Sequence, residues 1–154
     1  MGSTRITRLI RAPRAAVYRA LVDPNAIAAW KVPLGMKSEI HAFDAREGGA
    51  FRVSLTYEEP TGTGKTTAHT DTYHGRFAQL VSNEKIVEVV EFETSDPALS
   101  GEMTITTTLV DADGGTRIAA LHDHLPKGLS PKDNELGWNE AFTKLAALVE
   151  GRLS

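Results

Sequence analysis

Two histidines that flank a single residue are the strongest chemical signal in the sequence. Alternation along a predicted strand, Thr116–Leu125, places His122 and His124 on one face with Ile118 and Ala120. An imidazole can bind a metal, transfer a proton or form a hydrogen bond with a ligand carbonyl. A metal site needs three or four ligands and no third is evident, so we predict neither a metal nor a cofactor. The alternative is that one or both rings lie at the solvent-exposed end of the sheet and form hydrogen bonds with backbone groups or water.

Tyr73 is the third candidate for chemistry, because its hydroxyl shares a strand face with Phe77. A buried tyrosine usually finds a hydrogen-bond partner, which here is either a ligand or a neighbouring residue. The candidate catalytic groups are therefore His122, His124 and Tyr73. Large apolar side chains on the same predicted faces extend this set to a cavity wall, although each of them alone is also explained as core. The predicted ligand-binding residues are Trp30, Phe51, Val53, Tyr73, Met103, Ile105, His122, Trp138 and Phe142.

A glycine-rich segment, Gly62–Thr66, superficially resembles a phosphate-binding loop. That loop needs a glycine five positions before Gly64, and Glu59 stands there. The expected context, a buried strand that leads into a helix, is also missing. We therefore interpret Pro60–Thr67 as a hairpin tip and do not predict a nucleotide-binding loop there.

Charged side chains mark surface features rather than a site. Asp44 and Arg46 are two residues apart and so share a strand face, which predicts an ion pair beside a turn. Four glutamates are interpreted as one solvated strand face and edge; they are Glu84, Glu88, Glu91 and Glu93.

The composition bounds the class of protein. The 154 residues carry a net charge of −3 and include no cysteine, which excludes disulfides and thiolate chemistry. No basic cluster offers a track for nucleic acid. The N-terminus shows no apolar signal region and no run of about 18 apolar residues occurs, so we predict a cytoplasmic protein without a membrane partner.

Hydrophobic periodicity predicts a single α+β domain over residues 1–154. Apolar and polar residues alternate through seven predicted strands, which are Thr4–Ile10, Ser38–Arg46, Ala50–Glu58, His69–Leu80, Lys85–Thr94, Glu102–Asp111 and Thr116–Leu125. Two short helices, Arg14–Val22 and one from Pro24 to about Trp30, follow the first strand. A three- to four-residue repeat then predicts a long helix, Pro131–Arg152. Because a curved sheet closed by one straight helix leaves a gap, we expect an apolar cavity between them.

Several segments resemble a known family over essentially the whole chain. They are Arg11–Pro24 (RAPRAAVYRALVDP) with Trp30 soon after, Phe43–Arg52 (FDAREGGAFR), Gly114–Arg117 (GGTR) and Gly137-Trp138. The order of elements is similar to the helix-grip fold of START domains and birch-pollen-allergen-like proteins. The segments resemble the branch similar to the C-terminal domain of the Hsp90 ATPase activator.

The resemblance implies three alternative functions. The superfamily binds apolar or amphipathic small molecules, which favours a binding protein for a small apolar or aromatic ligand. Some relatives are polyketide cyclases or aromatases, which leaves open a cyclase- or hydratase-like enzyme with His122 or His124 as acid/base and Tyr73 stabilising an enolate. The third alternative is a regulator of a chaperone ATPase. The expected partner is a small apolar or amphipathic molecule, with a homodimer and a chaperone contact left open.

Overall fold

Seven strands form one antiparallel sheet in the computed structural model, which describes residues 2–32, 36–57 and 70–151. Their order across the sheet is β1-β7-β6-β5-β4-β3-β2, and every neighbouring pair is antiparallel. The strands are β1 Gly2–Ile10, β2 Met36–Phe43, β3 Ala50–Tyr57, β4 Thr70–Val81, β5 Lys85–Phe92, β6 Met103–Ala112 and β7 Gly115–Leu125. The chain therefore crosses from one edge of the sheet to the other between β1 and β2, and then returns strand by strand.

Three helices connect and cover the sheet: α1 Arg14–Val22, α2 Pro24–Trp30 and α3 Pro131–Val149. The Asp23 side chain accepts a hydrogen bond from the backbone N–H of Asn25, and Ser130 accepts one from Asp133, so both α2 and α3 begin with a capped first turn. Long, apolar helices that could span a membrane are absent from the three described segments.

The predicted α+β helix-grip fold is confirmed. On β6 the inward residues Met103, Ile105, Thr107 and Leu109 are buried, and Thr104, Thr106 and Thr108 between them are partly exposed, as alternation requires. From α3, Phe142 and Leu145 enter the same core. The helix approaches most closely to β1 and the two short helices, and it stands farther from β3–β5. That uneven spacing leaves room under the first half of α3.

The boundaries of the elements differ from the sequence prediction mainly at β2. This strand ends at Phe43 instead of Arg46, because Asp44 and Arg46 form the turn into β3. Their predicted ion pair is confirmed at 2.7 Å. Gly48 has a φ of +82°, a conformation that glycine adopts without strain. The predicted hairpin tip at 60–67 and the predicted helix end at Arg152 lie outside the described residues.

Gly75 on β4 lies where the packing leaves no room for a side chain. It lies opposite Phe51 on the neighbouring strand, and an added Cβ would overlap the Val89 carbonyl oxygen and lie 2.7 Å from the Phe51 ring. Backbone cannot move aside cheaply, so we expect Gly75→Ala to lower the free energy of unfolding by about 1–3 kcal/mol. Urea denaturation measures it. The control is Gly137→Ala, whose Cβ would meet no atom within 4 Å; a Gly75→Ala protein as stable as wild type would contradict the packing described.

Candidate functional site

A pocket of about 260 Å³ lies between the first half of α3 and the inner faces of β3–β6. Its wall is mainly apolar and includes a few polar groups. The lining residues are Lys31, Val32, Leu55, Tyr73, Val90, Phe92, Met103, Ile105, Leu129, Asp133, Asn134, Gly137, Trp138 and Ala141. A concave apolar space with a few convergent polar groups is the usual form of a small-molecule site.

Lys31 brings a charge into this pocket from the C-terminal end of α2. The preceding Trp30 is buried and donates its indole N–H to the Ala20 carbonyl at 2.9 Å, which fixes the end of the helix. The ammonium of Lys31 then lies 3.4 Å from the carboxylate of Glu88 on β5, and both side chains are largely buried. Burial has the largest single effect and lowers the pKa of Lys31, but the attraction of Glu88, the interaction with Tyr73 and the hydrogen bond to Glu88 together outweigh it and leave the pKa raised. Lys31 is therefore a charged donor at neutral pH.

Three aromatic rings surround the Lys31 ammonium. Its nitrogen lies 5.3 Å from the ring centre of Trp138, 5.7 Å from that of Tyr73 and 5.9 Å from that of Phe51. Distances below about 6 Å allow an attraction between a cation and the face of a ring. The rings thus help to hold a charge that has lost much of its water.

Tyr73 is the second polar group on the pocket wall. Burial raises the pKa of its hydroxyl, while the nearby charge of Lys31 opposes that shift. The hydroxyl therefore keeps its proton at neutral pH and can donate a hydrogen bond to a ligand.

His122 lies behind the pocket wall and is fully buried. Its Nδ1 accepts a hydrogen bond of 2.9 Å from the amide of Asn134, and its ring stands edge-on to Trp138 at 4.6 Å. Burial and the charge of Lys31 lower the pKa of His122 to about 4, against the opposing effect of Asn134. The ring is therefore neutral at pH 7 and carries its proton on Nε2, which has no hydrogen-bond partner among the described residues.

Comparison with known proteins decides the family. A family model described as "Activator of Hsp90 ATPase homolog 1-like protein" matches residues 11–150. The chain belongs to this family. We call it the Hsp90-activator-like family below. A protein from Chromobacterium violaceum, whose crystal structure is known, shares 30% sequence identity with this chain, and the two structures have a TM-score of 0.85 over 97% of this chain and 99% of that one.

Two further solved structures share the fold with this Hsp90-activator-like chain at lower identity. A protein from Nitrosomonas europaea is 22% identical, with a TM-score of 0.75 over 97% of this chain and 95% of that one. An AHSA1-like protein from Aeromonas hydrophila is 16% identical, with a TM-score of 0.74 over 98% and 94% of the two chains. A search of the curated proteins finds no match.

In this member of the Hsp90-activator-like family, the predicted ligand-binding residues divide into two groups. Those on the pocket wall are Tyr73, Met103, Ile105 and Trp138. Those buried around the pocket are Trp30, Phe51, Val53, His122 and Phe142. Trp30, Trp138 and Phe142 pack against one another with ring centres 5.8–6.4 Å apart, so this part of the helix–sheet interface is closed.

The shared face predicted for His122 and His124 does not hold. Gly2 pairs with Leu125 and Thr4 with His122, so three steps along β7 face two steps along β1. This β-bulge has a φ of +63° at His124 and reverses the alternation, which leaves His124 exposed while His122 and Leu125 are buried. Neither imidazole is among the pocket-lining residues. The enzyme alternative that uses these rings as acid/base therefore lacks geometric support.

The interpretation of the four glutamates as one solvated face is wrong for Glu88. Ile86, Glu88 and Val90 alternate with partly exposed neighbours and all three are buried, so Glu88 faces inward. The sequence did indicate this orientation, since Ile86 and Val90 stand two positions to either side of Glu88 and alternation puts all three on one face.

Lys31 follows the end of α2, where no periodicity remains, and nothing in the sequence pattern indicated that its side chain turns inward.

Metal-binding clusters of three or more His, Asp or Glu are absent from the described residues.

Proposed function

We propose that this chain binds a small, largely apolar molecule in the pocket between α3 and the sheet. The observation that carries the proposal is the 260 Å³ pocket with an apolar wall and polar groups at Lys31 and Tyr73. An apolar protein cavity of about 150 Å³ holds benzene, so the space suits a ligand of one or two rings. Contact with the apolar wall supplies affinity at about 25 cal/mol per Å² buried.

Gly137 supports this proposal from the helix side. It lies inside α3 on the pocket wall, and an added Cβ would meet no atom within 4 Å. Glycine inside a helix is about 1 kcal/mol less favourable than alanine. Internal packing does not explain the glycine here, whereas space kept for a ligand does.

A pocket-filling substitution tests the proposal. The neutral dye N-phenyl-1-naphthylamine should become fluorescent when added to the wild-type chain, and Gly137→Leu should weaken its binding at least about tenfold because the new side chain occupies ligand space. The stability of the Gly137→Leu variant should not fall, since a helix-favouring residue replaces glycine and its Cβ would meet no atom within 4 Å.

The matched control is Ala147→Leu, on the same helix but away from the pocket wall. It should bind the dye as the wild type does. Native mass spectrometry of the protein purified from cells adds an independent reading, in which a bound small molecule appears as extra mass. If the wild type binds no dye and carries no extra mass, the proposed function fails.

The remaining predictions concern partners and location. The name of the family refers to activation of the Hsp90 ATPase, and a chaperone contact of this chain stays a prediction that a pull-down with bacterial Hsp90 and an ATPase assay would test. A homodimer also stays a prediction. The absence of cysteine suits the cytoplasmic location that we propose.

A further inference from the structure

The polar end of the pocket offers hydrogen-bond donors. Lys31 has three N–H groups, and among the described residues its ammonium bonds only to Glu88. Tyr73 lies beside it, with the ring centre 5.7 Å from the Lys31 nitrogen, and its protonated hydroxyl also donates. Both side chains line the pocket. A ligand that satisfies this end must therefore present a hydrogen-bond acceptor.

The same end of the pocket has no excess positive charge. Glu88 balances Lys31 at 3.4 Å and is not part of the pocket wall, so it neutralises the ammonium from behind without offering an acceptor to the ligand. Tyr73 and His122 are neutral at pH 7. The remaining titratable side chain on the wall, Asp133, is exposed and adds negative charge near the N-terminus of α3.

A carboxylate and a neutral carbonyl respond differently to this arrangement. Both can accept hydrogen bonds from Lys31 and Tyr73. A carboxylate would also lose its hydration and be repelled by Glu88, leaving one uncompensated negative charge in a largely dry pocket. A ketone, aldehyde, quinone or lactone keeps the total charge at zero and loses less on leaving water.

We propose that the ligand is a neutral carbonyl compound of one or two rings, and that Glu88 is the specificity-determining residue that excludes carboxylates. This inference deepens the proposed function and rests on it. The carbonyl oxygen lies against Lys31 and Tyr73, and the rings contact the apolar wall formed by residues such as Met103 and Trp138.

Three probes of one ring system test the inference in the wild-type chain. Isothermal titration or dye displacement at pH 7.5 compares naphthalene, 2-acetonaphthone and 2-naphthoate. A hydrogen bond to a charged donor is worth about tenfold or more in affinity, so 2-acetonaphthone should bind at least about tenfold more tightly than naphthalene. The anion 2-naphthoate should bind at least about tenfold more weakly than 2-acetonaphthone.

Substitution of Glu88 tests whether its negative charge excludes carboxylates. Glu88→Gln removes the counter-ion but keeps the side-chain shape, so the affinity of 2-naphthoate relative to 2-acetonaphthone should rise about tenfold or more. The matched control is Glu102→Gln, which changes an exposed carboxylate paired with Arg76 and should leave the ratio unchanged. Should Glu88→Gln fail to fold, the double variant Lys31→Met/Glu88→Leu provides the reading, with the preference for 2-acetonaphthone over naphthalene reduced to about twofold or less.

The outcomes separate the two proposals. Absence of binding by the dye and by all three probes overturns the proposed function. Binding in which 2-naphthoate equals or exceeds 2-acetonaphthone in the wild type overturns the neutral-carbonyl inference alone. A ratio of 2-naphthoate to 2-acetonaphthone affinity that does not move in Glu88→Gln overturns the role of Glu88. A preference for 2-acetonaphthone over naphthalene that persists in the double variant overturns the role of the Lys31–Glu88 pair in binding the carbonyl.

Discussion

Lys31→Met should lower the free energy of unfolding by about 3–5 kcal/mol, because it leaves the Glu88 carboxylate buried without its partner. The two side chains are only 14% and 11% exposed, so water cannot replace the lost ammonium at little cost. Glu88→Leu should be destabilising by a similar amount for the converse reason. Urea denaturation at pH 7.5 measures both changes.

The double variant Lys31→Met/Glu88→Leu is the decisive comparison. Apolar residues that replace a buried ion pair are often neutral or stabilising, so the double variant should unfold close to the wild type. The coupling in this double-mutant cycle should therefore reach several kcal/mol. Arg76 and Glu102 form the control pair, since both are more than half exposed and their single substitutions should cost no more than about 1 kcal/mol. Additive effects at Lys31 and Glu88 would contradict a buried pair.

The retention of this pair bears on function more than on stability. If apolar residues can replace Lys31 and Glu88 without loss of stability, folding alone does not explain the pair. A charged donor held among three aromatic rings at a pocket wall does have a use in binding an acceptor group. The urea denaturation of the double variant and the comparison of ligands therefore both test whether this ion pair serves ligand binding instead of folding.

The sheet could be predicted because one of its faces is buried along its length. In β6 Met103, Ile105, Thr107 and Leu109 alternate in the sequence with Thr104, Thr106 and Thr108, and the structure buries the first set. Capping residues also carry local signals, since Asp23 and Ser130 each precede a proline that begins a helix. Such features depend on neighbours in sequence, which is why they were accessible without a structure.

The site was less predictable because it depends on local exceptions and on distances between elements. A β-bulge moves His124 out of register, and no residue type in that segment indicates it. Lys31 is directed inward by the buried Trp30 and by the packing of α2 against α3. The size of the pocket depends on how far α3 stands from β3–β5, which periodicity does not determine.

His122 should make the stability of the protein fall as the pH decreases from about 6.5 to about 4. Its pKa is lowered to about 4 in the folded state, so in this window the unfolded chain binds a proton at His122 that the folded chain does not. The contribution is complete above the unfolded pKa and is lost progressively below it. A difference of this size between the two pKa values corresponds to about 3 kcal/mol.

Comparison of two histidine variants isolates this effect from the titration of other groups. Urea denaturation from pH 7.5 to 4 should show a steeper loss for the wild type and His124→Gln than for His122→Gln, because His124 is exposed and His122 is buried. The titration of Glu93 changes the stability only at lower pH. The hydrogen bond from Arg52 lowers its pKa to about 2 against the effect of burial, so its contribution is lost only between about pH 4.5 and 2.

An NMR titration of the imidazole protons supplies the direct reading of this pKa. The His122 signal should stay that of a neutral ring down to about pH 4. The ring should carry its proton on Nε2, because Nδ1 accepts from Asn134. A His122 that titrates near 6.5, or a His122→Gln variant with the pH dependence of the wild type, would mean that the ring is not enclosed behind Trp138. The pocket wall would then be more open to water than described, and with it the basis for excluding charged ligands would weaken.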